Sequence, residues 1–119
     1  MQRFTDLKVW QRSHAWVLAV YELSARFPEH ERYGLTQELR RAARSVPSNI
    51  AEGSKRKSSR DYAHFLDIAE ASLAEAEYQI VLARDLGYLS AEQAAPVLAE
   101  AQEIAPMLFR LRTKVERDA

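Results

Sequence analysis

The apolar residues of this chain recur at intervals of three and four along most of its length. The clearest run extends from Tyr62 to about Leu86, and neither glycine nor proline interrupts it. This spacing places the apolar side chains on one face of an α-helix. The run is too long for a strand and therefore predicts a long amphipathic helix.

Three further stretches repeat the pattern, and short connections separate them. Together they predict helices over about 7–27, 30–53, 59–87 and 91–116. Residues suited to begin or end a helix lie near these limits, namely Thr5, Asp6, Pro28, Thr36, Gly53, Ser58, Gly87 and Ser90. The sequence therefore predicts an all-α fold, an antiparallel up-down-up-down four-helix bundle in which residues 1–119 form a single domain.

Two of the predicted helices contain proline. Pro47 lies inside the second, and Pro96 and Pro106 lie inside the fourth. A proline in a helix removes one backbone donor and clashes with the preceding turn, so we expect kinks in both helices.

The first helix carries two adjacent apolar stripes. One contains Trp10, His14 and Tyr21, and the other contains Trp16 and Val20. The fourth helix is similarly broad. Two adjacent stripes form an apolar surface wider than one intramolecular contact needs, which favours a homo-oligomer. The alternative is that the helix is buried deeply within one small core.

The charges of the chain sum to zero but are distributed unevenly. Residues 40–60 carry seven basic side chains against one acidic, a net of +6, whereas residues 61–119 carry five basic against eleven acidic, a net of −6. The basic cluster predicts contacts with the phosphates of RNA or DNA, and its members are Arg40, Arg41, Arg44, Lys55, Arg56, Lys57 and Arg60. Ion pairing with the acidic second half, through residues such as Glu70, Glu75, Glu77 and Glu103, explains the cluster equally well. Only Tyr33 and Tyr62 flank it, so base stacking is unsupported by the sequence.

A polar stripe also follows the second helix. Ser45, Asn49 and Glu52 recur at three- and four-residue spacing beside the apolar face, with Ser72 and Glu75 as candidate partners on the third helix. We expect these residues to serve architecture, with Asn49 and Glu52 bracing the kink at Pro47; a binding site is the alternative.

The sequence lacks the convergent groups that catalysis needs. It has no cysteine and no glycine-rich phosphate loop, and its three histidines have no partners at metal-site spacing. His14 lies on an apolar face, so we expect it to be a buried or partly buried structural residue. The sequence predicts a protein that is not an enzyme, with no cofactor, no metal site and no evident small-molecule substrate.

Targeting signals are likewise missing from the sequence. The N-terminal residues have charges where a signal peptide needs an apolar run, and the longest apolar run, Ala15–Tyr21, is far too short to cross a bilayer. We therefore expect a cytoplasmic protein with no membrane association.

The run from Gly34 to Arg56, GLTQELRRAARSVPSNIAEGSKR, resembles the signature of a known family. It is similar to the four helix bundle family known as 23S rRNA intervening-sequence proteins. The shared features are a tyrosine-glycine-leucine turn, a double arginine followed by alanine, and a serine–aliphatic–proline–x–asparagine–isoleucine–alanine–glutamate–glycine run. Further similarity at both sides extends the resemblance over about 4–88.

The resemblance implies a bacterial four-helix bundle that forms a homo-oligomer, typically a pentameric ring. A related branch, the accessory variability determinant of diversity-generating retroelements, contacts reverse transcriptase and nucleic acid. We therefore hypothesise a non-enzymatic, oligomeric protein that associates with RNA through the basic cluster. The alternative is a scaffold whose cluster docks an acidic partner, such as a reverse transcriptase or a neighbouring subunit.

Overall fold

The structure, a computed structural model, describes residues 3–119. It contains four α-helices: α1 (Lys8–Ser24), α2 (Leu35–Ser54), α3 (Ser59–Asp85) and α4 (Ala91–Arg117). Short 3-10 helices at Phe4–Asp6 and Glu29–Glu31 precede α1 and α2. No strand occurs within residues 3–119. The predicted all-α four-helix bundle is confirmed.

The start signals of α3 and α4 act as predicted. The Ser58 hydroxyl accepts a hydrogen bond from the Asp61 N–H at 3.1 Å. Ser90 and Gln93 form a reciprocal capping box, with bonds of 2.9 and 3.0 Å. Both arrangements satisfy backbone donors that have no partner within the helix.

Gly87 ends α3, also as predicted. Its φ of +85° lies in the left-handed region, which only glycine adopts without strain. The N–H of Gly87 donates to the carbonyl of Arg84, and the N–H of Tyr88 donates to that of Ala83. This pair of bonds is a Schellman motif, and it turns the chain toward α4.

The predicted ends of α1 and α2 were partly wrong. Thr5 and Asp6 do not cap α1, because they belong to the 3-10 helix that precedes it and Leu7 occupies the cap position. Thr36 does not cap α2, which begins one residue earlier at Leu35. The Leu35 N–H instead bonds the carboxylate of Glu31 at 3.1 Å.

Gly53 was predicted to close α2, and this is also wrong. The helix continues to Ser54, and Gly53 is buried inside it. A Cβ at this position would lie 2.8 Å from the Cβ of Phe65 and 3.0 Å from a ring carbon of Tyr62. Gly53 is therefore required by the close approach of α2 to α3, rather than by a turn.

One contiguous core fills the space between the four helices. From α1 it takes the stripe that contains Trp16 and Val20, and the Trp16 indole N–H donates to the buried carbonyl of Val97 at 3.0 Å. Each helix contacts the next in sequence, and α1 also contacts α4. Arg12 bonds Glu100 whereas Trp16 bonds Val97. Residue numbers thus rise along α1 as they fall along α4, which supports the predicted antiparallel arrangement of these two helices.

The three helical prolines do not end their helices. α2 is continuous across Pro47, and α4 is continuous across Pro96 and Pro106. The kinks expected at these positions stay a prediction. Among the described helices, none is both long and apolar enough to cross a membrane.

Candidate nucleic-acid interface

The seven basic residues predicted to contact phosphate lie at three separate locations. Arg40 and Arg44 face α1, and Arg41 faces α3. The other four lie in or beside the turn that joins α2 to α3, and these are Lys55, Arg56, Lys57 and Arg60. The seven are therefore not one surface.

Arg40 caps the C-terminal end of α1. Its Nε donates to the Ser24 hydroxyl at 2.8 Å and its Nη2 donates to the Tyr21 carbonyl at 3.0 Å. The guanidinium also lies 4.7 Å from the centre of the Tyr21 ring. A cation at the carbonyl end of a helix is favourable, so Arg40 helps to hold α1 against α2.

Two other arginines of the set have acidic partners. Arg41 pairs with Glu75 on α3 at 3.3 Å, and Arg56 pairs with Glu52 one turn back on α2 at 2.6 Å. Both pairs are exposed. Each partner offsets the charge that its arginine would offer to a phosphate.

Lys55, Lys57 and Arg60, here called the turn cations, are exposed. None of them forms an ion pair with any residue in 3–119. They lie within six residues of one another, where the chain leaves α2 and enters the first turn of α3. The turn cations are therefore a compact group of charges that the fold itself does not use.

The polar stripe of α2 joins α3 through one side chain. The hydroxyls of Ser45 and Ser72 lie 2.8 Å apart. The Asn49 amide donates to the Ser45 hydroxyl at 2.8 Å and to the Ser45 carbonyl at 2.7 Å. The Glu52 carboxylate pairs with Arg56 at 2.6 Å, and a role of Glu52 in bracing a kink at Pro47 stays a prediction.

The acidic second half pairs mainly with arginines outside the cluster. Arg112 on α4 forms a two-bond contact with Glu70 on α3, at 2.6 and 3.4 Å, and only 19% of its side chain is exposed. The bond to Glu70 raises the pKa of Arg112 further. Arg12 on α1 likewise binds Glu100 on α4, at 2.6 and 2.9 Å. The sequence did not indicate these pairs, because its helical spacing does not say which helices face each other.

A second polar group lies where the connection before α2 meets the turn after α3. The Tyr88 hydroxyl donates to Glu31 at 2.9 Å, and the ring of His30 lies 3.4 Å from the same hydroxyl. The hydrogen bond from the Leu35 N–H, together with that from Tyr88, lowers the pKa of Glu31. The bond to Glu31 raises the pKa of Tyr88.

His14 is exposed, so the expectation that it would be buried or partly buried is wrong. It stacks on the ring of Trp10, with centroids 5.1 Å apart. Trp10 and Tyr21 of the same stripe are partly buried against the core, which the neighbouring stripe of α1 helps to form. Within residues 3–119, no three histidine, aspartate or glutamate side chains are placed to hold a metal ion.

An apolar groove between α1 and α2 accounts for the extra stripe on α1. Trp10, Leu18 and Tyr21 line it from α1, and Pro47 and Ala51 line it from α2, around a volume of about 410 Å³. Leu18 is 58% exposed, and Phe109 on α4 is 54% exposed. Apolar side chains therefore lie on the surface of both helices for which a surplus was predicted.

Residues 5–110 match the family described as 23S rRNA-intervening sequence protein. The chain belongs to this family. The family that the sequence motif indicated is thus confirmed. No curated protein matches the chain.

A solved structure from Bacteroides thetaiotaomicron has a similar fold to this family member. It is described as a protein with unknown function from the S23 ribosomal protein family. The two superpose with a TM-score of 0.81 at 23% identity, over 87% of this chain and 97% of the other. At 23% identity, the similarity between the two structures shows a shared fold only. Neither description names a catalytic activity.

Proposed function

We propose that this protein is a non-enzymatic, oligomeric RNA-binding protein whose primary phosphate contacts are Lys55, Lys57 and Arg60. The observation that carries the proposal is that the turn cations are exposed, lie within six residues of one another along the chain, and form no ion pair with any residue in 3–119. Such charges attract a phosphate backbone and displace its counterions. Arg40 and Arg44 add positive charge on the α1 side, whereas Arg41 and Arg56 are offset by Glu75 and Glu52.

The test is the affinity for a labelled single-stranded RNA at about 0.1 M salt. Replacing Lys55 and Lys57 together by alanine removes two phosphate contacts, and we expect a loss of roughly 25-fold from counterion release alone. Both side chains are exposed, so the fold is kept. The control is Arg26→Ala with Arg84→Ala, which removes the same net charge at the opposite end of the bundle; Arg84, unlike the turn cations, pairs with an acidic residue, Asp85, at 3.0 Å. Equal losses in the two double variants, or no binding by the unaltered protein, would contradict the proposal.

The oligomer is the second part of the proposal. It is supported by the apolar groove, by exposed Leu18 and Phe109, and by the opposite net charges of residues 40–60 and 61–119. A surface with complementary apolar and charged parts suits assembly of identical chains. The resemblance to ring-forming proteins favours a pentamer.

Light scattering after size-exclusion chromatography tests the oligomer. One chain is 13.6 kDa, so a pentamer has five times that mass. We expect Leu18→Glu to reduce the mass, because it puts a charge at the groove. Leu86→Glu is the control, since Leu86 is similarly exposed but lies at the end of α3. A monomer at micromolar concentration for the unaltered protein refutes this part.

The alternative function is a protein-interaction scaffold, which the same apolar groove favours. In that case the turn cations dock an acidic partner, such as a reverse transcriptase or a neighbouring subunit. A pull-down with nuclease treatment separates the two functions. A scaffold keeps its protein partner after nucleic acid is digested. An RNA-binding protein loses any protein that was attached to it only through RNA.

A further inference from the structure

A second cavity lies between the end of α1 and the start of α2, beyond the apolar groove. It has a volume of about 330 Å³, and three arginines and two tyrosines line it: Arg32, Arg40, Arg44, Tyr21 and Tyr33. No acidic residue lines it. Its composition therefore differs from that of the apolar groove and suits a ligand that is anionic and aromatic.

Two of these arginines are held in place by neutral partners. The Arg44 Nη1 donates to the Tyr21 hydroxyl at 2.6 Å, and Arg40 is fixed by the Tyr21 carbonyl and the Ser24 hydroxyl. Neither arginine forms an ion pair within residues 3–119. Both guanidinium groups are thus oriented but keep their full charge, and each has N–H donors that these bonds do not use. This is the arrangement that suits a phosphate.

Tyr33 supplies an aromatic surface at the edge of the cavity. It is 79% exposed, and the guanidinium of Arg32 lies 5.3 Å from its ring centre. The sequence placed Tyr33 merely beside the basic cluster, but the fold brings it against the same cavity as Arg40 and Arg44. Exposed aromatic rings beside cations are the platforms on which single-stranded nucleic acids stack their bases.

We infer that this cavity binds one unpaired nucleotide of a nucleic-acid strand. Arg40 and Arg44 hold its phosphate, and its base stacks on Tyr33. The base must be unpaired, because bases inside a duplex are already stacked on both faces. Arg44 lies on α2 and Lys55 directly follows its last residue, so the two are eleven residues, or about 16 Å, apart along the helix axis. One strand can therefore reach both places, and the inference rests on the proposed RNA-binding function.

The test uses a labelled oligouridine of about 12 nucleotides, within the range of about 4–16 that single-stranded binding modules cover. Tyr33→Ala should weaken binding by about 5- to 150-fold, the loss expected for one stacked base. Tyr33→Phe should bind like the unaltered protein, since it keeps the ring. Tyr78→Ala is the matched control, because Tyr78 is also an exposed tyrosine, at 63%, but lies on α3.

Two further measurements separate stacking from charge. Arg44→Ala should lower the slope of log affinity against log salt by about 0.7, whereas Tyr33→Ala should leave that slope unchanged. Binding to an RNA duplex of the same length should not respond to Tyr33→Ala. The same series with oligothymidine shows whether the nucleotide is taken from RNA alone or also from DNA.

Several outcomes would overturn the inference. Unchanged oligouridine binding by Tyr33→Ala, or an equal loss in Tyr78→Ala, shows that no base stacks at this cavity. If the Lys55 and Lys57 double variant still loses affinity in that case, the proposed function survives and only the nucleotide cavity fails. If the unaltered protein binds no oligonucleotide, both fail together.

Discussion

Asn49 is the residue that links the polar stripe of α2 into one network. Its amide bonds both the carbonyl and the hydroxyl of Ser45, and that hydroxyl in turn contacts Ser72 on α3. Side chains of this kind were expected to brace the bend at Pro47. The contacts show that Asn49 orients Ser45, which bridges the two helices, and a role at the bend stays a prediction.

We predict that Asn49→Ala lowers the free energy of unfolding by about 1–2 kcal/mol, since it removes two half-buried hydrogen bonds. Chemical denaturation measures this directly. Gln37→Ala is the control on the same helix; Gln37 is exposed, so its replacement should change the stability by less than about 0.5 kcal/mol. If Asn49→Ala is as stable as the unaltered protein, the architectural role is wrong.

Glu31 is the residue whose protonation should make the stability of the fold depend on pH. Its carboxylate accepts the Leu35 N–H at the start of α2 and the Tyr88 hydroxyl after α3, and these bonds hold its pKa below the ordinary value of 4.5. A carboxylate with a lowered pKa in the folded state stabilises the fold above its unfolded pKa. That contribution is lost as the pH falls through the folded pKa.

We therefore predict that Glu31→Gln lowers the melting temperature at neutral pH, and that its difference from the unaltered protein shrinks as the pH falls below about 4.5. Thermal unfolding followed by circular dichroism from about pH 7 to pH 3 provides the comparison. Glutamine keeps the size and an acceptor oxygen, so charge is the main change. A difference that stays constant across this range would contradict the assignment.

Among the helices, α2 and α3 approach each other closely at Gly53. The position is helical, so replacing glycine by alanine should by itself stabilise the helix by about 0.5–1 kcal/mol. The added Cβ, however, would lie 2.8 Å from the Phe65 Cβ, which is backbone-fixed and cannot rotate away. The two effects have opposite signs, and overpacking costs about 1–3 kcal/mol.

We predict that Gly53→Ala is destabilising, because the clash exceeds the gain in helix propensity. Gly53→Val should be worse still, since the cost of a clash rises with the size of the side chain. Urea denaturation of the two variants checks both the sign and the order. A stabilised Gly53→Ala would mean that the helices are not in contact there.

The elements were predictable to the extent that their signals are local. Apolar spacing, the helix-starting Ser90 and the helix-ending Gly87 act within a few residues, and the structure confirms all three. Gly53 was misassigned because a helix-ending glycine and a close-approach glycine look alike until the facing helix is known. The caps of α1 were missed for a similar reason, since Thr5 and Asp6 lie within a 3-10 helix of their own.

At the scale of the whole molecule, the sequence showed that opposite charges lie in different parts of the chain, but not how they meet. Pairing across helices depends on which faces oppose each other, and Glu70 and Glu100 bind Arg112 and Arg12. Those pairs join α4 to its two neighbours. The turn cations belong to none of these ion pairs. The candidate phosphate contacts are therefore no longer all seven basic residues, but Lys55, Lys57 and Arg60 together with Arg40 and Arg44 at the cavity.

The salt dependence of RNA binding shows most directly whether the turn cations contact phosphates. If Lys55 and Lys57 contact phosphates, replacing both by alanine should lower the slope of log affinity against log salt by about 1.4, or about 0.7 for each contact with a single strand. The Arg26 and Arg84 control should keep the slope of the unaltered protein. A slope that is the same in all three proteins would contradict the account, because it would mean that no phosphate is bound by the turn that joins α2 to α3.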